Sequence, residues 1–372
     1  MKKILFILGT RPEAIKLSPV IFAFSNHSKY EVLVCSTGQH AELLSSTLRT
    51  LNIVPDINLE VMSDNQTLAK LTEKCISTLT NIISIEKPDL LFVQGDTTTA
   101  YCGALVGFYN QIKVAHVEAG LRSGDIYAPF PEEINRKMIS NLSTYHFTPT
   151  IRSTKNLARE GYTSGIYQVG NTVVDALNKM GEAISDGMEP QIKAKIPTCN
   201  FTGKLVLVTG HRRENFGAPL INICEALLEI SNDETVDIIY PVHPNPNVQN
   251  KVNKLLNGKK NIHLTTPLAY DEFIWLMNKC SLIITDSGGI QEEAVSLKKP
   301  VIITREVTER MELIDSGWGI LAGHDKKLIV NQAKLLLTDE NFYKKIVDSD
   351  NPFGDGTAAQ KILKVISDTL NE

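Results

Sequence analysis

The chain reads as an α/β protein built from two doubly wound parallel sheets. Short apolar runs alternate with helical patterns along almost the whole length. The runs are continuously apolar rather than alternating, so both faces of each strand are covered, as in a parallel sheet between helix layers. At 372 residues the chain is also about two and a half times a domain of ~150 residues.

In the first half, Ile4–Leu8 predicts a buried strand closed by Gly9-Thr10. Thr10 and Glu13 have capping-box spacing and Pro12 suits a first turn, so a helix opens there. Strands follow at Glu31–Cys35, Asp89–Gln94, Lys113–Glu118, Tyr145–Thr148 and Ile166–Val169. Helices are expected at Leu43–Leu51, Leu68–Ile85, Thr98–Tyr109, Pro131–Ser143 and up to about Gly161. From Gly181 to Gly203 glycine, proline, lysine and polar residues take over, which marks a linker entered through a helix Val174–Gly181. The alternation then restarts. Strands are expected at Leu205–Thr209, Asp237–Val242, Ile262–Leu264, Leu282–Asp286, Val301–Thr304 and Gly319–Leu321, with helices at Leu220–Ile230, Val248–Leu256, Asp271–Asn278, Ile290–Leu297, Leu328–Leu337 and, after a turn-rich stretch, Thr357–Leu370. The domains are expected at 1–172 and 173–356.

Composition narrows the function classes. A net charge of −4 and a pI near 6.1 argue against a nucleic-acid partner, which calls for a basic surface. Cys35, Cys75, Cys102, Cys199, Cys224 and Cys280 are scattered with no C-x-x-C pair, so free thiols in a reducing compartment are expected and a metal site is not. The run Ile4–Leu8 is too short for a signal core of ~7–15 residues, and no stretch approaches the ~18 apolar residues of a membrane span. A cytoplasmic protein with no membrane partner is the expectation.

In open α/β sheets ligands sit beyond the carboxyl ends of the strands. There this sequence concentrates charge: Gly9-Thr10-Arg11-Pro12-Glu13-Ala14-Ile15-Lys16, Gly95-Asp96, His116-Val117-Glu118, Gly210-His211-Arg212-Arg213 and Asp286-Ser287-Gly288-Gly289. Solvated loops would favour Ser, Asn and Gly instead, so a two-sided cleft is expected. Ser287-Gly288-Gly289 before a helix is either a tight turn or an anion site, where free N–H groups and the helix dipole meet phosphate. Arg212, Arg213 and Arg310 favour the anion, because guanidinium forks match phosphate oxygens. Neither a P-loop nor G-x-G-x-x-G occurs. Asp96 and Glu118 end successive strands, and carboxylates sharing one cleft push at least one pKa upward, which suits proton transfer. Glu132 with Arg136 is either part of that set or an i,i+4 helix-surface pair. Glu133 is either functional or a complement to the helix dipole. His116 reads as a core histidine, and His211, followed by two arginines, as functional.

These motifs together resemble the non-hydrolysing UDP-N-acetylglucosamine 2-epimerases. The resemblance is carried by Gly9–Pro19, Gln94–Thr99, His116–Arg122, Pro129–Arg136, Gly210–Asn215, Asp286–Ala294 and Thr308-Glu309-Arg310, in order over nearly the whole chain. It implies a glycosyltransferase-B-like pair of Rossmann-like domains, with a final helix, 357–372, returning to the first. It implies a homodimer, no metal or redox cofactor, and reversible conversion of UDP-GlcNAc to UDP-ManNAc, a donor for surface polysaccharides. By that resemblance Asp96, Glu118, Glu132, His211 and Lys16 are catalytic. Arg11, Lys16, His211, Arg212, Ser287, Gly288, Gly289 and Arg310 hold the diphosphate, Glu293 the ribose hydroxyls, and Phe273 lies near the uracil. Some relatives require a second UDP-GlcNAc as activator, with Gln-x-x-Gln after the second strand and Arg before Gln-Thr-Leu. Here Glu42 and Asn65 stand at the altered positions, so no strict activator requirement is expected. A hydrolysing epimerase, a retaining glycosyltransferase and a nucleotide-sugar sensor are the alternatives.

Overall fold

The computed structural model describes residues 1–38, 41–63, 66–196, 203–210 and 212–370. The chain forms two compact units, Met1–Ala176 with Phe353–Glu372, and Leu177–Pro352.

Unit 1 is a seven-stranded, wholly parallel sheet. Its strands are β1 (Lys2–Leu8), β2 (Tyr30–Ser36), β3 (Ile57–Asn58), β4 (Leu90–Gln94), β5 (Lys113–Val117), β6 (Tyr145–Thr148) and β7 (Ile166–Gln168), ordered β3-β2-β1-β4-β5-β6-β7. The order reverses between β1 and β4, so the loops after these two strands leave in opposite directions and open a crevice. The apolar runs read from sequence are buried along their length in β1 and β4, as strands covered on both faces must be. β3 is not foreseen, because two residues carry no periodicity; it is pinned by Leu59 N–H to the Ser36 carbonyl at 2.9 Å.

One face of this sheet carries an aromatic core. Phe6 stacks on Phe92 at 4.7 Å, and Phe24 from the helix Arg11–Ser25 meets both edge-on. The opposite face packs Leu5, Ile7, Leu91 and Val93 against Cys75, Leu79 and Ile83 of the helix Leu68–Glu86 and against the helix Thr98–Tyr109. Gly107 lets that second helix lie on the sheet: a Cβ there would stand 2.6 Å from Leu91 and 2.8 Å from Val114. The last helix, Ala358–Thr369, belongs to unit 1 and packs on Arg11–Ser25. Its first turn is caught by Asp175, whose carboxylate accepts from the amides of Ala358 and Ala359 at 3.2 and 2.9 Å.

Unit 2 repeats the design with six parallel strands: β8 (Lys204–Thr209), β9 (Val236–Pro241), β10 (Ile262–Thr265), β11 (Leu282–Thr285), β12 (Val301–Ile303) and β13 (Gly319–Leu321), ordered β10-β9-β8-β11-β12-β13. Its reversal falls between β8 and β11. The helix Thr172–Ala183 carries the chain from the first unit into the second. The weakly patterned stretch after it also holds a helix, Glu189–Lys195, anchored where Glu189 accepts from Trp275 Nε1 at 3.0 Å and pairs with Lys279 at 2.9 Å. Among the described residues no helix is long and apolar enough to cross a membrane. The five described cysteines are free and buried; Cys199 lies outside the described residues.

His116 and His146 face each other across β5 and β6. Burial holds them neutral, with pKa values lowered to about 3 and about 4. The unfolded chain takes up these protons near pH 6.5 while the native chain does not, so stability falls as pH drops from about 6.5 toward the native values. The unfolding free energy from urea titrations is expected to decline between pH 7.5 and 5 by roughly 2 kcal/mol per imidazole, and H146Q to flatten that slope. A slope unchanged by the substitution contradicts the assignment.

Candidate active site

The first turn of the helix Arg11–Ser25 is organised by Glu13. Its buried carboxylate accepts from the amides of Gly9 and Thr10 at 2.8 and 2.6 Å, from Thr10 Oγ1 at 2.8 Å and from Thr97 Oγ1 at 2.5 Å. Burial pushes the carboxyl upward in pKa and these donors oppose it. The acid half of the expected capping box is thus an internal anchor tying the loop after β1 to the loop after β4. It turns the amides of Gly9 and Thr10 inward, and Arg11 follows at the start of the helix, half-buried.

A turn and a half further on, Lys16 is buried with its Nζ 2.8 Å from both carboxylate oxygens of Glu118. Glu118 follows β5 in the left-handed region, at φ 67°, a conformation costly for a residue with a Cβ and usually kept where something requires it. Gln94 Nε2, at the end of β4, donates to the same carboxylate. Two strand ends and a helix therefore converge on one ion pair. Stripped of most of its water, such a pair is worth keeping only while both members are present.

Asp96 stands in a second cluster. Arg136 brackets its Oδ2 with Nε at 2.8 Å and Nη2 at 2.7 Å, and Asn135 Nδ2 donates to its carbonyl at 2.8 Å. Behind it Arg136 Nη1 meets Glu133 at 3.0 Å, and Glu133 accepts from the amides of Ser123 and Gly124 at 3.0 and 3.4 Å. Arg136 and Glu133 are buried, so neither is a solvated helix-surface charge. Glu132 opens the same helix, Glu132–Leu142, half-buried. His116 Nε2 lies 2.7 Å from the Gly95 carbonyl, fully buried: it is a core histidine that holds the turn presenting Asp96.

In unit 2 the buried Asp286 directly follows β11 and organises the neighbouring loop. Its Oδ2 accepts from the Arg212 amide at 2.9 Å and from Asn215 Nδ2 at 3.0 Å. Among the described residues the Nε of Arg212 has no hydrogen-bond partner. Ser287 leads into the helix Gly288–Ser296. Arg310 lies flat across its start; a Cβ on Gly288 would stand 3.0 Å from the guanidinium carbon, so glycine here makes room for a cation at a helix N-terminus. Glu293, in the same helix, is buried, and Phe273 lies in the helix Tyr270–Lys279.

The structure joins Lys16 to Glu118, sets Asp96 in a separate ion cluster, and gathers Gly288 with Arg310. Sequence reasoning named Gln94, Asp286 and Asn215 only as parts of motifs, with no role of their own, and left open the role of Glu133. All four stand inside the motifs that carry the resemblance, but spacing does not tell an orienting group from its neighbours. His211, the side chain of Arg213, Asn65 and the side chain of Glu42 lie outside the described residues. Among those described, no cluster of metal-ligand type occurs.

The sequence model of one protein family, described as UDP-N-acetylglucosamine 2-epimerase, matches residues 23–367. A protein of that name from Campylobacter jejuni is 47% identical over 373 residues, spanning 98% of this chain and 97% of its own. One from Escherichia coli K12 is 45% identical over 368 residues, at 98% of each. The crystal structure of UDP-GlcNAc 2-epimerase from Neisseria meningitidis bound to UDP-GlcNAc is similar with a TM-score of 0.94 at 40% identity, covering 99% of this chain and 100% of that one. The Methanocaldococcus jannaschii UDP-GlcNAc 2-epimerase in complex with UDP-GlcNAc and UDP has a TM-score of 0.85 at 35% identity, covering 98% and 99%. By length, identity and fold together, this chain belongs to the UDP-N-acetylglucosamine 2-epimerase family.

Proposed function

We propose that this chain interconverts UDP-GlcNAc and UDP-ManNAc by eliminating UDP and adding it back. The observation that carries the reading is the pair of carboxylates, Asp96 and Glu118, presented beyond the ends of the adjacent strands β4 and β5, each held by a buried cation. The C2 hydrogen of a sugar is not acidic, so its removal must be coupled to loss of a good leaving group. A base takes the C2 proton, the C–H electrons become the C1=C2 bond of a 2-acetamidoglucal, and the C1–O bond breaks with its electrons going to UDP. On return, the diphosphate oxygen attacks C1 and the proton reaches C2 from the other face.

Asp96, Glu118 and Glu132 form the proposed acid–base set, with Lys16 and His211 as catalytic partners. Arg11, Lys16, His211, Arg212, Ser287, Gly288, Gly289 and Arg310 are proposed to stabilise the departing diphosphate, Glu293 to take the ribose hydroxyls and Phe273 to pack near the uracil. Lys16 serves two anions in this scheme. As the diphosphate draws on its charge, Glu118 loses part of its counter-ion and gains proton affinity, which couples leaving-group departure to proton transfer.

A homodimer is part of the proposal. The stretch before the helix Glu132–Leu142 exposes Ile126, Tyr127 and Phe130, and the helix adds Ile134 and Met138; apolar groups collected in this way favour cover by protein. The product is proposed to serve surface-polysaccharide synthesis.

Incubation with UDP-GlcNAc in D₂O, followed by NMR, is expected to yield two UDP-sugars carrying deuterium at C2. Free ManNAc would mean hydrolysis, transfer of the sugar to an added acceptor a glycosyltransferase, and unchanged substrate with tight binding a sensor. D96N and E118Q are each expected to lower kcat by about 10²-fold or more, and E118Q also to lower the melting temperature, because it leaves Lys16 buried without its counter-charge, so kcat is compared well below the unfolding transition; activity within a few-fold of wild type removes that residue from the acid–base set. UDP-ManNAc offered alone is expected to turn over, because Glu42 and Asn65 depart from the activator pattern. Turnover that begins only on addition of UDP-GlcNAc would refute this.

A further inference from the structure

At the carboxyl edge of unit 2, five charged side chains form one continuous chain of ion pairs. Glu214, in the turn Arg213–Asn215 after β8, accepts from Arg305 Nε at 2.8 Å. Arg305 Nη1 reaches Glu309 Oε2 at 3.0 Å, and the same oxygen lies 3.4 Å from Arg310 Nη1. Arg310 Nε then meets Glu292 Oε1, on the helix Gly288–Ser296, at 2.9 Å. Arg305, Glu309, Arg310 and Glu292 are all buried. Burial pushes the Glu309 carboxyl upward, but Arg310 and Arg305 outweigh it and hold it at about 2. The chain ties together three segments that follow β8, β11 and β12.

The charges of this chain do not favour an anion. Two arginines face three carboxylates, so the group as a whole subtracts from the positive potential expected at a phosphate site. Its value there lies in geometry. A guanidinium gripped by carboxylates at Nε and Nη1 cannot rotate away from Gly288. It meets a ligand already oriented, with its side-chain entropy spent in folding rather than in binding. Thr308 supports the same arrangement, its Oγ1 accepting from the Arg310 amide at 3.2 Å and donating to Gln291 at 2.9 Å.

We infer that Glu309, with Glu292, is a positioning residue that orients Arg310 for the diphosphate of the nucleotide. The inference rests on the reading of unit 2 as the UDP site. It separates phosphate recognition from nucleoside recognition: loosening Arg310 weakens the hold on the diphosphate and leaves the nucleoside contacts alone. A role in charge alone predicts the opposite sign, since removing a carboxylate beside an anion site tightens the anion.

The test compares UDP with uridine on the full-length chain, by calorimetry for UDP and ligand-observed NMR for uridine. E309Q is expected to weaken UDP by at least about tenfold, the size of one hydrogen bond to a charged group, with uridine unchanged. UDP bound as tightly as by wild type, or more tightly, overturns the inference. So does a parallel loss of UDP and uridine, which marks a general structural role. If E309Q fails to reproduce the wild-type melting curve, E292Q carries the same comparison, because it leaves the Arg305–Glu309 pair in place. Wild-type protein that binds neither ligand overturns the reading of unit 2 itself, a result distinct from failure of the positioning role.

Discussion

The buried charges beside the carboxyl ends of these strands have left water, and opposite charges or backbone donors meet them there. Lys16 has Glu118, Asp96 has Arg136, Arg310 has Glu292 and Glu309, and Glu13 has two amides and two hydroxyls. Pairing is compulsory because an unpaired buried charge costs several kcal/mol, a large part of a typical protein's whole stability. The partners come from different strands and helices, so the requirement locks the loops to one another. A site built this way is held in place by ion pairs that join separate elements.

The two units meet the requirement with different chemistry on similar frames. Both are parallel sheets with an order reversal, between β1 and β4 in one and between β8 and β11 in the other. Unit 1 places carboxylates beyond β4 and β5 and backs them with Lys16 and Arg136. Unit 2 places Arg310 at the start of a helix and backs it with carboxylates. In the proposed reaction the first arrangement handles a proton and the second a leaving diphosphate. Proton transfer needs an acid whose partner can be drawn away, and anion binding needs a cation whose partners stay.

Much of this was legible in the linear sequence. Continuous apolar runs identified most strands of both sheets, because a strand covered on both faces has no polar positions to spare. The Thr10–Glu13 spacing located the first helix, and the charged motifs located the carboxyl edges. Some short elements escaped: β3 is two residues long, and the helix Glu189–Lys195 takes its anchors, Trp275 and Lys279, from more than eighty residues away.

Residue types and their order along the chain determined the α/β class, the two-sheet plan and which loops carry charge, since those follow from local periodicity and from the rule that parallel strands point one way. Which charge meets which was decided only in three dimensions. Arg136 stood beside Glu132 and Glu133 in sequence, yet its strongest grip is on Asp96, forty residues earlier. Lys16 and Glu118 are 102 residues apart and share one buried ion pair. Pair interactions depend on distance and on the water removed from between the partners, and neither quantity exists until the sheet has closed.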